Sequence, residues 1–76
     1  MKVINIDKEI MGGKPVFAGT RVLISSLFDY LETGESIEAF LDDFPAVSKE
    51  QVLKLLEISQ KIITSSSEIL SEEATQ

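Results

Sequence analysis

Two cations, Lys14 and Arg21, flank the least helix-like stretch of this 76-residue chain and are its first candidates for chemistry. A guanidinium offers a planar fork that fits a carboxylate or a phosphate, and an ammonium offers a compact charge. A second set falls at the start of a predicted helix: Lys49, Gln51 and Lys54. In a helix-turn-helix the first residues of the second helix reach base edges. There Gln51 could read adenine, and Lys49 or Lys54 could read guanine or meet phosphate. Glu50 and Glu57 on the same segment oppose that role, and the segment reads equally as a plain capped surface helix. Carboxylates supply little. Asp42 and Asp43 are neighbours that point in different directions on a helix. Glu35, Glu38 and Asp42 could make a weak cation site, but they lack the glycine-bearing acidic loop of calcium sites and read better as a solvated face. The chain has no histidine and no cysteine, which removes the commonest general base, thiolate ligands and disulfides. Most of its serines fall at helix caps or in the run Ser65–Ser67, without a histidine to activate them. The expectation is a protein that is not an enzyme and uses no catalytic residue, metal, cofactor or small-molecule substrate.

The stretch that carries Lys14 and Arg21, Gly12–Val22, holds three of the four glycines and one of the two prolines. Glycine admits backbone angles that a side chain forbids. Pro15 fixes its own φ and biases Lys14 toward an extended conformation. Val16 and Phe17 precede Ala18-Gly19-Thr20, and Val22 and Leu23 follow it. This spacing predicts two short strands joined by a tight turn, with Gly12, Gly13, Pro15, Gly19 and Thr20 as its structural residues. The same composition also fits glycines that only make turns and cations that only keep a strand edge soluble. It does not fit a phosphate-binding P-loop, because Pro15 follows the lysine where a Ser or Thr would have to stand.

A chain of this length makes one small domain with a modest core. The net charge of −6 is uneven. Residues 1–26 carry four cations against two carboxylates, whereas from Glu35 onward three cations face nine carboxylates. That balance argues against strong nonspecific binding to nucleic acid, though not against a local basic face. No window approaches the roughly 20 apolar residues of a membrane span, and no signal-peptide pattern is visible, so a cytoplasmic protein without membrane contact is expected.

The remaining elements follow from apolar spacing. Val3, Ile4 and Ile6 suit a strand that could join a ribbon over 3–23. Leu27, Phe28 and Leu31 predict a helix over about 26–33, capped by Ser25 or Ser26 and ended by Gly34. Ile37, Phe40, Leu41 and Phe44 predict a second helix over 37–43, capped by Ser36 and stopped by Pro45. Ser48 with Gln51 is a capping-box pattern that opens a third helix, from 49 to about 63. Residues 1–64 thus form a single domain, mainly α with a short N-terminal β ribbon and a three-helix core. Residues 65–76 read as an acidic flexible tail.

The pattern IMGGKPVFAGTRVLISSLFDYLETGESIEAFLDDFPAVSKEQVLKLL resembles a small prokaryotic family known as domain of unknown function 433 (DUF433). The likeness covers about residues 4–60, through GGKPV-x-x-GTR, GESIE and FP-x-V-S-x-E-x-V. It implies a winged-helix or homeodomain-like helix-turn-helix core. It also implies an antitoxin that neutralises a PIN-like ribonuclease toxin and, through the helix-turn-helix, represses its own operon. Two routes to neutralisation follow. The acidic excess could occupy the basic path that draws in RNA. Alternatively, Arg21 or Lys14 could pair with the metal-binding carboxylates of the nuclease. Ile62, Ile63, Ile69 and Leu70 could add an apolar grip on that partner. Lys14 and Arg21 join Lys49, Gln51 and Lys54 as candidate DNA contacts. A homo-oligomer, a dimer, is expected, and the rival readings are a stand-alone DNA-binding regulator and a structural homodimer that pairs the ribbon edge.

Overall fold

Phe17 is where the β segment meets the helices: it is fully buried, and its ring centroid lies 6.0 Å from that of Phe40. In the computed structural model, which describes residues 1–66, strand β1 (Ile4–Asn5) pairs antiparallel with β2 (Val16–Phe17). Ile4 stands opposite Phe17 and Asn5 opposite Val16. Helices α1 (Ile24–Glu32), α2 (Ile37–Asp43) and α3 (Lys49–Ser65) follow. The architecture is mainly helical, with a two-stranded N-terminal sheet as expected.

The hairpin differs from expectation in its second arm. Val16 makes one isolated bridge to Leu23, and no strand forms after the turn. The reason is that Leu23 is already the N-cap of α1. The free N–H of Ile24 donates to the Pro15 carbonyl (3.0 Å), so the ribbon supplies the acceptor that an uncapped helix start lacks. Helix α1 therefore begins two residues before the expected position, and neither Ser25 nor Ser26 caps it. The turn itself closes between the Phe17 carbonyl and the Thr20 N–H (3.0 Å). The Thr20 hydroxyl fastens it further, donating to the Phe17 carbonyl (2.8 Å) and accepting from the Val22 N–H (3.0 Å).

Ahead of β2, the glycine pair completes a single 3-10-type turn over Met11–Gly13 in which all three residues take positive φ. At Gly13 it is the backbone angle (φ +86°) that selects glycine, since a Cβ there would only reach contact distance of the Lys8 Cα (3.4 Å). Gly34 (φ +89°) ends α1 in the same conformation. Its N–H donates to the Leu31 carbonyl and that of Glu35 to the Tyr30 carbonyl, the paired bonds of a Schellman motif.

The two later helices begin where their caps predict. Ser36 Oγ accepts from the Ala39 N–H, and Ser48 Oγ from the Gln51 N–H. Gln51 completes the capping box through Oε1, which accepts from the Ser48 N–H (3.0 Å). Its amide Nε2 then donates to the Ala18 carbonyl, 33 residues away (3.0 Å). Ala18 in turn donates its N–H to the Val3 carbonyl (2.8 Å). One residue, Ala18, thus ties Val3 beside β1, the turn and the start of α3.

The core is Val3, Phe17, Leu27, Phe40, Val47, Val52 and Leu55, with Phe28, Leu31, Ile37, Leu41, Phe44 and Leu56 among those packed around it. Tyr30 lies edge-on to Phe40 and Phe44, at centroid distances of 5.4 and 5.8 Å. Its hydroxyl donates to the Asp43 carboxylate, which joins α1 to α2. The last residue of α3 packed on this core, among those described, is Ile58.

Because the Gln51 amide serves both the cap and the ribbon, Gln51→Ala removes two hydrogen bonds at once. The expected loss is about 1–3 kcal/mol in urea unfolding. A midpoint unchanged from wild type would mean that neither bond contributes.

Candidate interaction surface

Lys14 and Arg21 are both exposed. Among the described residues neither carries an ion pair; the three pairs present involve Lys49, Lys54 and Lys61. Lys14 precedes β2 and lines a shallow apolar groove of about 480 Å³ with Pro15, Ile24, Ser25 and Phe28. The groove exists because Pro15 is hydrogen-bonded to the first turn of α1, which brings the ribbon entry beside Ile24 and Phe28. Arg21 sits on the loop between the bridged residues Val16 and Leu23, next to the Thr20 hydroxyl that fixes the turn. The two cations therefore stand at different ends of one rigid segment, and Arg21 does not line the groove.

The start of α3 is arranged differently. Lys49 pairs with Glu38 of α2 (3.6 Å). Lys54 pairs with Glu57 (3.5 Å), which also meets Lys61 (3.3 Å). Gln51 has its Oε1 on the Ser48 N–H and its Nε2 on the Ala18 carbonyl. Contact with a base would cost Gln51 the bonds that hold the ribbon. That double use of Gln51 was visible in the sequence only as a capping box; its long-range half has no local signal.

The candidate cation site at Glu35, Glu38 and Asp42 is not assembled. Glu38 faces Lys49, and among the described residues no group of three or more His, Cys, Asp or Glu side chains could hold a metal ion. No helix among them is long and apolar enough to cross a membrane. Ile62 and Ile63 are exposed on α3 beyond the core. Ile69 and Leu70, and the acidic tail beyond Ser66, lie outside the described residues.

These features define a small three-helix domain with a β pair fastened to its first and third helices. The chain belongs to the DUF433 family, described as proteins of unknown function, whose model matches residues 4–57. That span includes the glycine stretch, all of α1 and α2 and the first half of α3. No curated protein and no solved structure matches the chain significantly.

The Lys61 ammonium, hydrogen-bonded to Glu57, and the nearby Lys54 charge hold the Glu57 carboxyl below its ordinary value of 4.5. A depressed carboxyl contributes stability above its unfolded value and loses it as pH falls through the folded one. NMR titration of Glu57 should therefore show a midpoint below 4.5 that rises in Lys61→Gln. An unshifted midpoint in the wild type would exclude the ion-pair cluster in solution.

Proposed function

We propose that this protein is a non-catalytic binding partner, an antitoxin that neutralises a PIN-like ribonuclease by engaging it through Lys14, Arg21 and the groove beside them. The reading starts from the antitoxin role that the sequence resemblance implies; the family itself is described only as proteins of unknown function. The single observation that carries it is the contrast between cations. Those of α3 are met by carboxylates of this chain, while Lys14 and Arg21 are exposed without an ion pair among the described residues. A nuclease of that class holds metal ions with a cluster of carboxylates. A guanidinium on a fixed turn matches a carboxylate in two parallel hydrogen bonds, at little entropic cost because the turn is already held. The apolar groove beside Lys14 offers an anchor next to the charge, which is the composition of a binding hot spot. Glu38 and Glu57 are engaged with lysines of their own chain, which leaves Glu35, Asp42 and Glu50 among the described carboxylates for the alternative route, occupation of the basic RNA path.

The α2–turn–α3 succession fits a winged-helix or homeodomain-like core in a cytoplasmic regulator, with the short β pair in the place of a wing. Operator binding through α3 has less support, because Lys49, Gln51 and Lys54 are already engaged within the chain.

The test is RNA cleavage by a PIN-like ribonuclease from the same genome, with and without this protein. Wild type should form a complex and suppress cleavage. Arg21→Glu and Lys14→Glu should each weaken inhibition about tenfold to a hundredfold, the loss of one charge-assisted contact of about 1.5–3 kcal/mol. Lys54→Glu should leave it unchanged. Absence of inhibition by wild type, or full inhibition by the double variant Lys14→Glu/Arg21→Glu, would overturn the proposal.

A further inference from the structure

Arg21 is exposed, and among the described residues no ion pair holds its guanidinium. The backbone that roots it is nevertheless tied on both sides. After it, the Val22 N–H donates to Thr20 Oγ1 (3.0 Å), and the Val22 carbonyl accepts from the Phe17 N–H (2.9 Å). Before it, the Thr20 N–H and the Thr20 hydroxyl both donate to the Phe17 carbonyl (3.0 and 2.8 Å). Phe17 is fully buried, so these bonds run to a fixed point of the core. A single hydroxyl thus connects the residue ahead of the turn with the residue behind Arg21.

The turn would close without that hydroxyl. Gly19 (φ +79°) supplies the reversal, and the Thr20 N–H to Phe17 carbonyl bond closes it. What the hydroxyl adds is an acceptor for the Val22 N–H. That bond fixes the plane of the Arg21–Val22 peptide, and hence the direction in which the arginine side chain leaves the backbone. Branching at Cβ restricts the rotation of Thr20 and holds its oxygen ready for both bonds. Valine would keep the shape and lose the bonds; serine would keep the bonds.

Lys14 is rooted by a different set. Its N–H donates to the Met11 carbonyl (3.3 Å), and the carbonyl of the following Pro15 accepts from the Ile24 N–H (3.0 Å). Thr20 takes no part in either bond. We propose that Thr20 is a positioning residue for Arg21: its hydroxyl aims the guanidinium at the acidic group of a partner and leaves Lys14 and its groove unaffected. The assignment rests on the reading of Arg21 as a contact to the carboxylates of a nuclease. A backbone left mobile at Arg21 would have to be ordered on binding, which weakens the contact.

Nitrogen-15 relaxation of the free, full chain tests the positioning without a nuclease. In Thr20→Val the order parameters of the Arg21 and Val22 amides should fall from about 0.85 toward 0.6, while that of Lys14 stays unchanged. Thr20→Ser should keep all three at the wild-type value. Unchanged order at Arg21 and Val22 in Thr20→Val would overturn the proposal. So would a general loss of order that reaches Lys14, since the hydroxyl would then hold the whole ribbon. Inhibition of a PIN-like ribonuclease tests the consequence. Thr20→Val should weaken it about threefold to tenfold, and Thr20→Ser should restore it. The loss should vanish in an Arg21→Ala background and persist in Lys14→Ala, because only residues that act as a unit depart from additivity. Equal losses in both backgrounds would overturn the proposal and leave the nuclease reading standing. Absence of inhibition by the wild type would overturn that reading, and the order parameters would still decide the role of Thr20.

Discussion

The hydrogen bond from the Gln51 amide to the Ala18 carbonyl is the link on which the arrangement of this molecule depends. A two-stranded sheet of two residues per strand has almost no stability of its own. It persists here because its peptides are claimed from three directions: Val3 accepts from Ala18, Ile24 donates to Pro15, and Gln51 donates to Ala18. The side chain that does this is already ordered by the capping box, so most of its rotamer entropy is spent in starting α3. Phe17 then inserts between the helices against Phe40, and burial of both rings locks the ribbon down.

Electrostatics divide the surface into parts with different prospects. The helical part is acidic, and its lysines are neutralised locally in exposed pairs that contribute little to stability. Those pairs matter more for what they withhold, since a cation already facing a carboxylate is a poor ligand for phosphate. No ion pair among the described residues involves Lys14 or Arg21, so their charge is not neutralised within the chain. Rigidity and free charge thus coincide on one segment, which is the arrangement that makes a specific contact inexpensive in entropy.

Local signals carried most of the helical architecture. Ser36 and Ser48 marked helix starts to the residue because a side-chain cap acts over three positions, and Gly34 marked an end because the left-handed angle there is a local requirement. The start of α1 was not legible, because its acceptor is the Pro15 carbonyl, supplied by the fold and by no neighbouring side chain. For the same reason the hairpin's second arm read as a strand: Val22 and Leu23 have strand-like side chains, but Leu23 is needed as the N-cap of α1. At the candidate surface, residue type singled out Lys14, Arg21, Lys49, Gln51 and Lys54 alike. Tertiary contacts, Glu38 beside Lys49 and Ala18 beside Gln51, together with Glu57 one turn along from Lys54, separate the engaged residues from the exposed pair.

The central claim is that the ribbon, and not the start of α3, is the surface this protein offers to another macromolecule. Chemical-shift mapping of the isotope-labelled chain, titrated with a catalytically inactive PIN-like ribonuclease, tests it most directly. Backbone signals of Lys14, Arg21, Ser25 and Phe28 should move while those of Lys49 and Lys54 stay in place. Movement confined to the first turn of α3, with the ribbon signals unchanged, would contradict it.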